Sequence, residues 1–262
     1  MAAARSCLLA LVAPALAVAL LAADGAPQSV AGPPQPRFRA VAFDYFVLFN
    51  PDSIVPVVEQ TFPGRGREFT SLWRTRQFEY TWLRSITNQY VDFFEVTENA
   101  LVYAASALKL ELTEPQKESL LDAHLHLAPW PDTAETLRTL REAGVRVIAL
   151  ANFSPTMLRS NADNAGLAGL FDALVSTDEN RTYKPDPRAY RLGMDRLRLP
   201  KQDIAFAAFG GWDAAGAKAF GYPTIWVNRF NQPVEELGIR ADQTVTDLKG
   251  LLDFVLNAPR PR

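Results

Sequence analysis

"DTAETLRTLREAGVRVIALAN" (residues 132–152) holds two kinds of backbone in one short run. Its first half reads as a helix that Gly144 ends, and its second half, "VRVIALAN", as a nearly continuous apolar strand. The same exchange repeats downstream. A helix over 155–165 leads to the strand "FDALVS", then the helix "DPRAYRLGMDRL" leads to "DIAFAAF". The helix "DAAGAKAFG" leads to "PTIWVN", and a last helix falls near 247–257. Strands alternating with helices predict an α/β fold, a doubly wound parallel sheet with a Rossmann-like core. Such sheets keep their sites beyond the carboxyl ends of the strands.

Upstream lies one further strand, Phe38–Phe43, and then only helical patterning from Asp52 to His126. "REFTSLWRTRQFEYTWLRSI" carries Phe69, Leu72, Trp73, Phe78, Trp82 and Leu83 at mixed three- and four-residue spacings. "VTENALVYAASALKLEL" reads as a second helix. A third, "TEPQKESLLDAHLHLA", opens on Thr113 as N-cap with Pro115 just inside. Residues 52–128 are therefore expected to form a helical cap inserted into a core made of 38–51 and 129–262.

The 262 residues carry a net charge of −2 and are 48% hydrophobic, without a basic excess to suggest nucleic acid. The start differs. "MAAARSCLLALVAPALAVALLAADGA" has one arginine, an apolar stretch and then small residues, the layout of a secretory signal peptide over 1–26. Pro14 interrupts a stretch already short for a membrane anchor, so periplasmic or secreted localisation is expected, without stable membrane association after removal of the signal. Cys7, the only cysteine, lies inside that segment. The remaining chain has no thiol for disulfides or nucleophilic catalysis. Residues 27–37 read as a Pro-rich linker.

Four strand ends offer polar side chains: Asp44, Asn152, Lys184 in "TYKPDP", and Asp213. Each has a bland alternative, since Asp44 could cap a turn, Asn152 could sit in one, and Asp213 could be a helix N-cap. Together, an Asp, a Lys and a second Asp converging at this edge make a nucleophile with an activating ion pair.

The order of "AFDYFVLF", "FPGRGREFTSLWRTRQFEYTWLRS", "NQYVDFF", "ANFSP", "YKPDPRAY" and "GGWDAAGAKAFGYPTIWVNR" resembles the haloacid dehalogenase superfamily, in its (S)-2-haloacid dehalogenase branch. The resemblance runs from about Phe38 to Phe254. It implies that Asp44 attacks the halogen-bearing carbon, forming an aspartyl ester that water then hydrolyses. It implies Arg74 as halide receiver, Lys184 as support for the nucleophile, Tyr190 as support for the site, and Asp213 as the acid serving the hydrolytic water. Asn152 falls at the substrate end, with Phe93 and Trp212 as apolar walls. No metal or organic cofactor is implied, and a homodimer through the cap helices is. Phosphatases of the superfamily carry a second acid two residues after the nucleophile, where this chain has Phe46, so a magnesium site would be short of oxygen ligands.

The chain departs from the branch where small polar groups are usual. "DYFVLFN" is one residue shorter than the family loop and lacks its Gly and Thr, Ala151-Asn152-Phe153 stands for Ser-Asn-Gly, and Ala208-Phe209-Gly210 stands for Ser-Ser-Asn. Losing a positioned donor costs about 3 kcal/mol of transition-state stabilisation. The alternative to a working dehalogenase is a catalytically impaired relative that binds a small carboxylate or a partner. His124 and His126 are set aside as a metal pair, and an exposed position on the cap helix is expected for them.

Overall fold

The computed structural model describes residues 36–257. The expected signal peptide, and the expected linker apart from Pro36 and Arg37, lie outside the described residues.

The order is β1 (Ala40–Phe43), α1 (Tyr45–Leu48), α2 (Val55–Thr61), α3 (Gly66–Thr87), α4 (Phe93–Ala107), α5 (Glu114–Ala123) and α6 (Thr133–Glu142). There follow β2 (Arg146–Ala151), α7 (Pro155–Asn164), β3 (Ala173–Ser176), α8 (Pro187–Leu197), β4 (Ile204–Ala208) and α9 (Gly211–Phe220). β5 (Thr224–Val227), β6 (Gln243–Val245) and α10 (Leu248–Leu256) complete the chain. All strand pairs are parallel, in the order β3-β2-β1-β4-β5-β6. This is the doubly wound arrangement, with β1 at the centre and the reversal of direction between β1 and β4.

Apolar residues fill the central strands because both faces are covered. Val41, Phe43, Val147 and Ala149 join one buried cluster, and Ala40, Ala42, Ile148 and Leu150 join the other, alternating as a strand requires. β6 is an element that the apolar pattern of the sequence does not predict. It is a short edge strand, Gln-Thr-Val, and mostly exposed, so burial writes no apolar signal into it.

The helices α2–α5, the expected cap, are inserted between β1 and β2, and the chain leaves and rejoins the sheet at one neck. Phe49 pairs antiparallel with Pro129, Asn50 N–H donates to Ala128 O (2.8 Å), and Trp130 N–H donates to Leu48 O (3.0 Å). Within the cap, α3 buries Phe69, Trp73, Gln77 and Thr81, a stripe at four-residue spacing. Trp73 Nε1 donates to Thr97 O (2.8 Å) and Gln77 Nε2 to Thr97 Oγ1 (2.9 Å), both across to α4.

His124 corrects an expectation. It is buried, its ring centroid 4.3 Å from that of Trp73, and only His126 is exposed. α5 ends at Ala123, and the turn that follows carries His124 inward. Burial pushes its pKa down to about 4, so it packs as a neutral ring.

Candidate active site

β1 ends in the middle of the sheet, and Asp44 is the first residue beyond it. Its backbone N–H donates to Ala207 O of β4 (2.9 Å), which fixes the turn. Asp44 takes the N-cap position of α1, yet its side chain makes no cap hydrogen bond. It meets Lys184 instead: Nζ lies 2.8 Å from Asp44 Oδ1 and 2.7 Å from Asp213 Oδ2. The ammonium therefore bridges two carboxylates, with Asp44 slightly open to solvent and the other two enclosed.

Other strand ends hold this bridge in place. Asn152, just after β2, accepts the Lys184 backbone N–H on Oδ1 (2.9 Å), so its part here is to place the lysine. Tyr190 on α8 donates its hydroxyl to Asp213 Oδ1 (2.7 Å). Asp213 lies within α9 rather than at its N-cap, which is Gly210. Lys184 Nζ also sits over the Phe206 ring, 5.1 Å from its centroid.

The electrostatics follow from enclosure. Burial opposes the charge on Lys184, but the attraction of Asp213 and Asp44 outweighs it and raises the lysine's pKa. Burial pushes the Asp213 carboxyl up to about 6, the Lys184 ammonium pulling it down and the Asp44 charge adding to the rise. Burial, with the neighbouring Asp213, keeps the Tyr190 hydroxyl protonated well beyond its ordinary range. Two carboxyl groups share one ammonium. The excess negative charge fits an oxygen kept ready for nucleophilic attack, because Asp44 Oδ2 makes no hydrogen bond among the described residues.

Arg74 stands apart from this bridge. Its Nη1 is held by Asp52 Oδ1 (2.7 Å), and its guanidinium lies 5.8 Å from the Phe230 ring centroid. It shares a small cavity of about 10 Å³ with Phe46, Thr70, Gln77 and His124, room for about one water-sized particle. Thr70 Oγ1 is buried there without a partner. Asp52 was missed from the sequence; the signal was Asn50-Pro51-Asp52, where Asn50 Oδ1 caps the turn by accepting Asp52 N–H (2.9 Å).

The expected walls are aromatic. Phe93 stacks on Phe153 (5.2 Å between centroids), and Trp212 contacts Phe78 (5.2 Å) and Trp82 (5.4 Å). Three strand ends each add a phenylalanine: Phe46 lies 5.2 Å from Phe153 and 5.7 Å from Phe209. Phe153 and Phe209 of this cluster lie at two of the positions where the chain departs from the family pattern. None of the five cavities described counts Asp44 in its lining. Among the described residues, no three His, Cys, Asp or Glu side chains gather where a metal ion could be held.

A family model of haloacid dehalogenase-like hydrolases matches residues 38–221. An (S)-2-haloacid dehalogenase from Pseudomonas sp. (strain YL) is 42% identical, over 82% of this chain and 94% of that protein. A haloacetate dehalogenase from Moraxella sp. (strain B) is 38% identical over 84% and 98%. Among solved structures, the L-2-haloacid dehalogenase of Xanthobacter autotrophicus with chloropropionic acid covalently bound superposes with a TM-score of 0.77. It is 33% identical and covers 82% of this chain and 96% of that one.

Proposed function

The chain belongs to the haloacid dehalogenase-like hydrolase family, and from that premise we propose that it hydrolyses short (S)-2-haloalkanoic acids to (R)-2-hydroxy acids. The observation that carries this reading is the Lys184 bridge: one carboxylate beyond β1, held by one oxygen and free at the other. Asp44 Oδ2 attacks the carbon bearing the halogen from the side opposite the leaving group. The C–O bond forms as the C–halogen bond breaks, and the halide departs with the bonding pair. Water then adds to the Asp44 carboxyl carbon and the ester's carbonyl–oxygen bond breaks. This returns the Asp44 carboxylate, frees the hydroxy acid and releases one proton.

Lys184 offsets charge on Oδ1 throughout, and Tyr190 with Lys184 holds Asp213 beside the path of the water. Arg74 receives the halide; its water-sized cavity, with the unpartnered Thr70 hydroxyl, suits a single monatomic anion. The covalent adduct in the Xanthobacter relative supports an ester step by likeness. The same reading takes 52–128 as the cap, 1–26 as an export signal, and the chain as a homodimer that uses no metal.

The aromatic cluster of Phe46, Phe153 and Phe209 favours a second reading, a pocket that binds a small carboxylate without turning it over. Halide release from (S)-2-chloropropionate separates the two, with Asp44→Asn and a chelator run alongside. Release that survives the chelator and vanishes in Asp44→Asn is expected. Binding without release would move the protein to the second reading, and loss on chelation would rule out both.

A further inference from the structure

We propose that the gap between the end of α3 and the Arg181–Arg188 segment is a second binding site, distinct from Asp44, for an amphipathic organic carboxylate. Two adjoining voids form it. One, about 330 Å³, is lined by Arg84, Asn88 and Tyr90 on the cap side and by Arg181 and Arg188 on the core side. The other, about 450 Å³, is walled by Trp82, Ile86, Tyr183, Pro185 and Pro187, with Asp186, whose carboxylate Arg188 holds, also in its lining. Ser85 lines both, so a charged half and an apolar half meet at one residue.

The charged half has cations to spare. Arg188 is occupied by Asp186 at 2.6 Å, and Tyr90 gives its hydroxyl to Asp178 (2.5 Å). Arg84 donates only to the Gln89 carbonyl (3.0 Å), and Arg181 lies over the Tyr90 ring at 5.0 Å. Neither Arg84 nor Arg181 has a carboxylate partner among the described residues. Two guanidinium forks facing one void suit a carboxylate.

The apolar half carries an independent sign. Trp82 Nε1 and Ser85 Oγ are both buried without a hydrogen-bond partner, and both residues line this void. Native proteins rarely bury such groups unsatisfied, and an indole N–H can only donate. Both atoms are closed to solvent as they stand, so an acceptor in the ligand's body would meet them on a turn of the Trp82 and Ser85 side chains toward the void, next to apolar surface. A carboxylic acid with an apolar ring and one further oxygen, such as an aryloxy acid, meets all three demands. Because the site touches both cap and core, and Trp82 packs on Trp212, its ligand would join the two parts behind the wall of the Asp44 site.

Calorimetric titration of the purified protein with phenoxyacetate, and with acetate as the head group alone, tests this. The reading is binding, so its outcome is separate from that of the halide-release assay. Saturable one-site binding of phenoxyacetate is expected, retained in Asp44→Asn and weakened about tenfold in the Arg84→Ala/Arg181→Ala double variant. Trp82→Phe, which keeps the ring and removes the donor, is expected to weaken binding several-fold. No saturable binding would overturn the proposal. So would binding that is lost in Asp44→Asn but indifferent to the arginines, since the probe would then sit in the first site.

Discussion

Lys184 places one positive charge between two carboxylates in surroundings that exclude water, so its removal should be felt twice. Lys184→Met would leave Asp44 and Asp213 facing each other without a counter-charge. Breaking a buried pair in this way costs about 3–5 kcal/mol. Urea unfolding should show a loss of that size, and halide release should fall below detection. Under the proposed mechanism the acid limb of activity belongs to Asp213. Its carboxyl rises from an ordinary 3.8 to about 6 in the fold, so the folded chain binds more protons than the unfolded one between those values. By linkage, this residue's contribution to stability declines as pH rises across the window. Activity should run the other way, falling as pH drops through about 6, when Asp213 takes a proton and Lys184 loses one of its two anions. A pH–rate profile of kcat/KM, set against urea midpoints over the same range, checks both signs. Asp44, Lys184 and Asp213 could be named from the sequence because each stands at or just beyond a strand end, whereas Tyr190 came from the family resemblance alone. Asp52 could not, since its meeting with Arg74 joins residues 22 apart across two elements.

At the scale of elements, α1 decides how open the site is. Its four residues are all buried, and Phe46 stands between the Arg74 cavity and Phe209. Phe46→Ala should cost about 3 kcal/mol in thermal or urea unfolding, in the range for deleting a buried ring. It should also raise kcat/KM for four-carbon haloacids relative to two-carbon ones; an unchanged ratio would mean that Phe46 does not bound the substrate. The parallel strands were readable because burial on both faces writes continuous apolar runs. β6 was not, because an exposed edge strand follows no such rule. The inward turn of His124 was also hidden: helical periodicity describes α5 but not the chain after it ends.

At the scale of the whole molecule, the cap presents unpartnered apolar side chains: Leu83 of α3 and Val102 of α4 are 54% and 46% exposed. In the proposed cap-to-cap homodimer these side chains would be covered. Leu83→Lys/Val102→Lys should convert a dimer to a monomer in sedimentation velocity, with the unfolding midpoint of the core little changed. A wild-type monomer would dismiss the cap-to-cap dimer. The neck carries a consequence of a different kind. The cap departs and returns through segments joined by hydrogen bonds of 2.8 and 3.0 Å, and it contributes no strand to the sheet. Its chain enters and leaves through a single plug, while side chains cross between cap and core elsewhere, as Tyr90 does to Asp178. Any other fold whose two ends lie one strand spacing apart could be seated there without disturbing the order of the sheet, so one nucleophile could serve many lids.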